Sequence, residues 1–343
     1  MTELHELIFK LCRSNGVSGE EEAVSKIVAK ELSNYADVHI DNRFNNVFGR
    51  IGRKDAEKRI LLDAHIDQIG FIVTCVEKGF LKIAPCGSFD NRILPGSAIK
   101  IFGKKEILGI VCSIPPHLVD KSNNKFTEDI VIDTTLTEED AEELVPIGSY
   151  GTFWGSETKL SNNRICAQGL DNRSSVAVLI FCAKLLNKMK IDWQNFNCNI
   201  NFLFSSREEI GGHVGAAIGS YAIKPTEAIV LDVSFATQYD VDRRKARELS
   251  KGPLIGLAPS LSRRIADKFV GIADKNEIPY QFEVMGNKTS TNADVIGSNM
   301  SGVETFLISL PLRYMHTQCE VMDLEDIKNA INLIFSYLLH SIK

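Results

Sequence analysis

The arrangement of apolar and polar positions changes twice along the chain. Residues 2–13 and 21–33 repeat apolar side chains at helical spacing, and RILLDAHID at 59–67 follows as an apolar, strand-like stretch. Residues 69–157 contain short apolar stretches separated by Gly, Pro, Asn and charged residues, a pattern typical of a β-sandwich or barrel. After about residue 165, helical patterns and apolar strands alternate again. We therefore expect an α/β domain interrupted by a β-rich insertion.

The elements after residue 165 are predicted to form a mixed-sheet α/β/α domain, because their continuous apolar strands are typical of strands buried on both faces. Within the β-rich part, residues 135–144 are predicted as a short helix capped by Thr137, and 117–129 as a polar connection. Ser18, with Glu21 three residues later, predicts the start of the second helix. The later helices are predicted at 173–189, 261–275 and from Leu324 to Leu338, and the later strands at 197–206, 227–234 and 302–312.

Composition and charge exclude several classes of function. A net charge of −5 gives no electrostatic basis for binding nucleic acid, which usually requires a basic patch. No apolar run approaches the roughly 18–20 residues that span a membrane, and the N-terminus lacks the apolar segment of a signal peptide. We therefore expect a cytoplasmic location. The eight cysteines include no CxxC pair, and in a cytoplasmic protein we expect them to be reduced, structural thiols.

Residues of metal-ligand type follow several of the predicted strands. In open α/β sheets, ligands bind beyond the carboxyl ends of the strands, so such residues are expected to converge on one crevice. Asp171, a further acid, lies just before the helix predicted at 173–189. The candidates are His65, Asp67, Asp171, Glu208, Glu209, Asp232 and His316.

Two imidazoles combined with several carboxylates suit zinc, cobalt or manganese. Because one catalytic zinc usually takes three protein ligands, this set favours two metals about 3.5–4 Å apart, bridged by a carboxylate. A separate carboxylate is then needed to move a proton. Each residue alone has a plainer interpretation: Asp171 as a helix N-cap, Glu208 and Glu209 as solvated acids, and His316 as a core histidine. Only the occurrence of all these residues together, in this order along the chain, favours a metal site.

The ordered set resembles the M42 metallo-aminopeptidases, a group also labelled glucanase-like. The resemblance extends over most of the chain, and the order of its motifs is more specific than any one of them. The matching stretches are AHIDQIGF (64–71), IPPHL (114–118), GLDNRSSVAVL (169–179), REEIGGHVGA (207–216), IVLDVSFA (229–236), LSKGPLI (249–255) and LPLRYMHT (310–317).

This resemblance implies a co-catalytic pair of divalent metals, usually zinc or cobalt, and removal of N-terminal residues from peptides with a free N-terminus. It also implies self-association, often as a dodecamer. Residues 1–68 and 158–343 would form the catalytic domain, and 69–157 the inserted domain used in assembly. In the site it implies, His65 and His316 are terminal ligands, Asp171 bridges the metals, Glu209 and Asp232 complete the coordination, Glu208 is the general acid/base, and Asp67 orients His65.

Three residues depart from the family pattern: Gln68 and Asn292 stand where acids are common, and Phe235 where a polar residue is frequent. The basic run at 242–247 is predicted to be a solvated loop rather than a substrate contact. We expect His213 to pack near the site.

Three other functions remain open from the sequence. The same ligands could serve a related amidohydrolase, either an acyl-amino acid deacylase or a carboxypeptidase-like enzyme. A glycosidase would use Glu208 and a second carboxylate, but it leaves both histidines and Asp232 unexplained. A non-catalytic, oligomeric peptide-binding scaffold would predict a missing ligand, and all five are present.

Overall fold

The computed structural model describes residues 2–115, 117–118 and 130–342. The predicted connection at 117–129 and Pro116 of the IPPHL motif therefore lie largely outside the described residues. Helices are α1 Thr2–Cys12, α2 Glu22–Leu32, α3 Glu138–Leu144, α4 Leu170–Lys188, α5 Val214–Ile223, α6 Arg263–Lys275, α7 Asn292–Gly297 and α8 Leu324–Ser341, with 3₁₀ turns at Asn91–Ile93 and Trp193–Asn195.

Strands are β1 Asp37–Ile40, β2 Val47–Gly52, β3 Lys58–His65, β4 Gly70–Glu77, β5 Phe80–Cys86, β6 Ala98–Phe102, β7 Glu106–Val111, β8 Ile130–Asp133, β9 Tyr150–Phe153, β10 Thr158–Lys159, β11 Arg164–Ala167, β12 Cys198–Ser205, β13 Glu227–Phe235, β14 Leu254–Leu257, β15 Gln281–Val284, β16 Glu304–Leu312 and β17 Glu320–Asp323.

The main sheet of the described chain has eight strands in the order β1-β2-β12-β3-β13-β16-β14-β15. Its centre is parallel, since β3 pairs in parallel with both β12 and β13, and β13 with β16. Toward the edges of the sheet, β2 is antiparallel to β12, and β14 is antiparallel to β16. The predicted mixed sheet is therefore confirmed, and its four central strands are those that the apolar runs predicted.

Helices cover both faces of this sheet and complete the predicted α/β/α layers. On one face α4, α6 and α8 pack against β3, β13, β14 and β16, α2 packs against β1 and β2, and α1 packs against α2 and α4. On the other face α5 and α7 pack against β3, β12, β13 and β16. The Phe269 ring in α6 stacks on Phe306 of β16 and Tyr337 of α8, at centroid distances of 4.8 and 4.2 Å. Such aromatic pairs stabilise a core beyond the area that they bury. No described helix combines the length and apolar character that crossing a bilayer requires.

The β-rich stretch forms a closed barrel with strand order β4-β5-β8-β7-β6-β9. Alternate residues of β7 are buried and exposed, as expected for a strand with one face inside a barrel. Strand β9 pairs with both β4 and β6 and so closes the barrel. All six strands lie between Gly70 and Phe153, and α3 covers one side of β4 and β5. The barrel within an α/β fold is thus confirmed.

The capping predictions had different outcomes. Thr137 caps α3 as predicted and accepts a hydrogen bond from the Asp140 amide. The prediction for Ser18 was wrong, because α2 starts after Glu21 without a side-chain cap. The Ser18 hydroxyl instead donates to Asp67 at 2.5 Å. A tertiary carboxylate therefore competes successfully with the local helix end for this hydroxyl.

All eight cysteines are free thiols, and Cys112 and Cys319 are exposed rather than part of the core. The sequence patterns also missed several short elements: β1, β2, β14, β15, β17, α5 and α7. These elements are mostly four to six residues long, too short for a hydrophobic period to stand out.

Candidate metal centre

The parallel centre of the sheet places the candidate ligands at one edge. His65 is the last residue of β3, and Asp232 lies near the end of the adjacent strand β13. Glu209 follows β12, which pairs with β3 on its other side. Asp171 comes from the first turn of α4, and His316 lies four residues beyond β16. The structure thus brings all five predicted ligand residues together, as expected where parallel strands end.

Asp171 stands between two groups of side chains. Its Oδ1 lies 3.2 Å from Nε2 of His65, and the same nitrogen is 3.6 Å from Oδ1 of Asp232. Its Oδ2 lies 3.3 Å from Nε2 of His316, which is 3.2 Å from Oε2 of Glu209. The two carboxylate oxygens of one aspartate therefore face two different sets of imidazole and carboxylate atoms.

Within the described part of the chain, no lysine or arginine balances the buried charges of this cluster. Asp171, Glu209 and Asp232 pair only with histidines among the described residues. Burial and the charge of Asp171 raise the pKa of Glu209 to about 8, and burial raises that of Asp232 to about 6. Burial opposes ionisation of Asp171, but His316 and His65 outweigh it and hold its pKa well below the ordinary value.

Glu209 supplies an independent sign that a cation fits here. Its Oε1 is buried and has no hydrogen-bond partner among the described residues, although buried polar atoms are normally paired. His65, Asp171 and Glu209 each present a ligand atom within 4.8 Å of the others. Oxygen and imidazole nitrogen are ligands that zinc and related divalent metals accept. The residues present therefore fit divalent cations.

Asp67 joins the first histidine to the glutamate pair. Its Oδ1 accepts the Glu208 amide and its Oδ2 the Glu209 amide, each at 3.0 Å. Oδ1 also lies 3.4 Å from Nδ1 of His65, and the Asp67 carbonyl oxygen is 3.2 Å from that nitrogen. Histidine ligands are commonly held through their second ring nitrogen in this way. One fully buried carboxylate thus holds His65, Glu208 and Glu209 in a common arrangement.

Glu208 and Glu209 point to different partners, although they are adjacent in sequence. The Glu209 carboxylate is 4% exposed and faces His316, whereas that of Glu208 is 12% exposed and lies 3.1 Å from Nδ1 of His213. The Glu208 carboxylate raises the pKa of His213 more than partial burial lowers it. The expectation that His213 packs near the site is met, and its partner is Glu208.

Glu320 is a residue that the sequence did not single out. It lies in β17, opposite Ala167 of β11, and its side chain is buried. One carboxylate oxygen accepts the His316 amide at 2.9 Å, and the other accepts the Asp171 amide at 3.2 Å. Burial and the charge of Asp171 raise its pKa well above the ordinary value. Its only sequence signal is an acid at a buried position of a short strand, four residues after His316.

His316 itself has a left-handed backbone, with φ of 61°. This conformation is uncommon for a residue with a side chain and costs conformational energy. The hydrogen bond from its amide to Glu320 holds that backbone in place. The short sheet β10-β11-β17 therefore links Asp171 and His316 through their main chains.

The three departures from the family pattern lie in different surroundings. Gln68 donates to Thr152 of β9 at 3.3 Å and so connects the end of the catalytic sheet to the barrel. Asn292 is buried and donates to Asp63 at 2.8 Å and to Ser205 at 2.9 Å. Phe235 is 57% exposed and lines the cleft. Only Phe235 is therefore placed to contact a substrate directly.

An open cleft of about 1380 Å³ lies over the ligand cluster. Its walls come from the loop 208–213, from residues of β13, β15 and β16, and from the segment that leads into α7. The basic run at 242–247 does not line it, and most of its side chains are exposed. This agrees with the prediction of a solvated loop.

Replacing Glu320 by Gln should weaken metal binding about 10- to 100-fold, because one of the two amides that it holds loses its acceptor. Chelator competition would measure the affinity. Asp326→Asn is a matched control, since Asp326 is also buried and accepts two amides, those of Ser250 and Gly252, each at 2.7 Å, away from the cluster. Equal metal affinity in Glu320→Gln and the wild-type protein would contradict this role.

Comparison with known proteins agrees with the geometry. The family model for M42 glutamyl aminopeptidases matches residues 45–333. A lysyl aminopeptidase of Pyrococcus furiosus is 33% identical over 337 residues, which cover 96% of this chain and 94% of that protein.

Solved structures show the same relationship. A TET aminopeptidase from a marine sediment archaeon of the Thaumarchaeota has a TM-score of 0.90 at 26% identity, covering 98% of this chain and 96% of that one. The TET1 peptidase of Pyrococcus horikoshii has a TM-score of 0.83 at 29% identity, covering 97% and 98%. The resemblance predicted from the motifs is confirmed: the chain belongs to the M42 glutamyl aminopeptidase family, whose members are hydrolases of peptide bonds.

Proposed function

We propose that this protein is an aminopeptidase that depends on two divalent cations and uses Glu208 as general acid/base. The observation that supports it most directly is the position of Asp171, whose two oxygens face separate sets of imidazole and carboxylate atoms. An aspartate with a purely structural role would need only one such set of partners. The unpaired Oε1 of Glu209 supports the same proposal.

The ligands divide between two positions. His65 and Asp232 would hold one cation, His316 and Glu209 the other, with Asp171 shared between them. Zinc and cobalt suit this nitrogen and oxygen set best, and manganese fits as well. When bound, two such ions polarise a carbonyl group and lower the pKa of water.

Glu208 lies beside the cluster without contacting its histidines. Its carboxylate would accept a proton from the attacking water as the new bond to the scissile carbonyl carbon forms. The same carboxylate would then give that proton to the leaving amine nitrogen as the peptide bond breaks. The Asp67 bond to its amide and the nearby His213 would fix its direction.

The family model and the relatives support cleavage at a free N-terminus, because both are described as aminopeptidases. They favour an aminopeptidase over a deacylase or a carboxypeptidase.

We also propose that the chain forms a homo-oligomer through residues 69–157, with 1–68 and 158–343 as the catalytic domain. The TET1 peptidase of Pyrococcus horikoshii can assemble into a tetrahedron or a large octahedral shell. On the barrel, Leu108 and Ile110 of β7 are 46% and 49% exposed on its outer face. Exposed apolar side chains that lie together commonly mark an interface.

Glu208→Gln should lower turnover of an aminoacyl-anilide by about 10²–10⁴-fold, because the amide cannot accept and return the proton. Bound metal, measured by elemental analysis, should stay near the wild-type content. Glu209→Gln is the matched control and should lose metal. Retained turnover in Glu208→Gln, or cleavage of N-acetylated and free substrates at equal rates, would refute the mechanism.

Removal of metal by a chelator should lower the melting temperature by about 5–10 °C, since a ligand bound only to the native state stabilises it. The physical reason is that the buried carboxylates then repel each other. Adding zinc, cobalt or manganese should restore the original value. Glu208→Gln should show the full decrease and Glu209→Gln a smaller one. Identical melting curves with and without chelator would contradict a metal centre.

The double variant Leu108→Glu and Ile110→Glu should reduce the molar mass in light scattering, because charged side chains destabilise an apolar contact. The exposed Tyr239, outside the barrel, offers a control variant, Tyr239→Glu. A monomeric wild-type protein would refute the assembly, and an unchanged mass in the double variant would refute this interface.

A further inference from the structure

Glu283 is an acidic residue of the cleft that the metal ligands leave unused. It lies in β15 and lines the cleft together with the ligand cluster. Ser234 donates a hydrogen bond to its Oε1, and Ser309 donates to its Oε2 at 2.8 Å. Both serines are buried. Two buried hydroxyl groups therefore hold this carboxylate in a fixed direction within the cleft.

The strand register explains how Glu283 reaches the metal side of the cleft. Ser234 lies two residues after Asp232 on β13, so both side chains project from the same face of the sheet. Ser309 is paired with Asp232 in the parallel ladder. On β14 the residue opposite Glu283 is Gly256, which has no side chain to separate the carboxylate from these serines. The Glu283 carboxylate thus lies close to the side of the cluster formed by Asp232.

Glu283 has no cationic partner among the described residues, and nearby cations are directed elsewhere. The guanidinium of Arg247 donates to the carbonyl oxygen of Phe282, the residue before it. Lys288 lines the cleft but is exposed at its rim. The other acid of this wall, Asp294, accepts the amides of Thr289 and Ser290. Glu283 is therefore the acid of this wall that lacks both a cation and backbone donors.

The surroundings of Glu283 also suit a long aliphatic stem. Met285 and Leu307 line the same cleft, and Met285 directly follows the strand that carries Glu283. Lysine and arginine side chains bury their methylene groups against apolar surface while the charged end reaches a polar partner. A carboxylate beyond an apolar wall fits such a side chain.

We propose that Glu283 selects substrates whose N-terminal residue is lysine or arginine, by pairing with the charged end of that side chain. The inference rests on the proposed aminopeptidase function. With the scissile bond at the metal ligands, the first side chain of the peptide would extend from Asp232 toward Glu283. Ser234 and Ser309 would keep the carboxylate in position, so little conformational entropy is lost on binding.

The test is a comparison of kcat/KM for lysyl-, arginyl-, leucyl- and glutamyl-anilides. The wild-type protein, loaded with metal, should favour the two basic substrates. Glu283→Gln keeps the size and hydrogen-bonding ability of the side chain but removes its charge. It should lower kcat/KM for lysyl- and arginyl-anilides about 10- to 100-fold, in line with the loss of a hydrogen bond between charged groups. The value for leucyl-anilide should change by less than about threefold.

Lys288→Met, at the exposed rim of the same cleft, is the control variant, and it should leave the preference for basic substrates unchanged. A wild-type preference for glutamyl- or leucyl-anilide would overturn the proposal without the need for any variant. An equal loss on all substrates in Glu283→Gln would also overturn it, because that result indicates a structural role. If the wild-type protein cleaves none of the free anilides, the proposed function itself fails. Cleavage of all of them without a basic preference refutes only the role of Glu283.

Discussion

The structure depends on the burial of negative charge at the edge where the parallel strands end. Asp171, Glu209 and Asp232 are held there with histidines as their only charged partners among the described residues. Isolated carboxylates are not retained in such a place unless a cation or a protonated partner compensates them. Their positions must therefore be enforced by the rest of the molecule. The carboxyl ends of the four central strands form this edge, and hydrogen bonds from main-chain amides fix the directions of the side chains.

Two buried acids provide most of that enforcement. Asp67 accepts the amides of Glu208 and Glu209, and Glu320 accepts those of Asp171 and His316. An amide left without its acceptor in a buried position costs about 1–3 kcal/mol, so each acid stabilises two chain segments at once. Glu21, which also accepts the Arg207 amide at 3.2 Å, extends the same arrangement to the residue before the glutamate pair. The candidate ligand residues are thus a small part of the site.

The large features of this fold were predictable because they follow from long apolar patterns. The central strands, the long helices and the barrel all leave periodic or continuous signals in the sequence. Most of the candidate ligands were also recognisable, since they follow strands whose carboxyl ends meet, whereas Asp171 lies at the start of a helix. Glu320 was not recognisable, because it acts by accepting the amides of Asp171 and His316. The proximity of these amides depends on the register of β11 and β17. Ser18 was misassigned for a related reason: Asp67, 49 residues away, competes for its hydroxyl.

The glutamate pair has a consequence for how this loop tolerates change. Consecutive amides of Glu208 and Glu209 are bonded to the two oxygens of one aspartate, so their spacing relative to β12 is fixed. The next part of the loop is less constrained. Gly211 and Gly212 have positive φ, and a Cβ atom added at either position would meet no heavy atom closer than 3.9 Å. The segment from Ile210 to Gly212 should therefore change shape more readily than the segment from Ser205 to Glu209. Such changes would alter the rim of the cleft and leave Glu208 beside the candidate ligands.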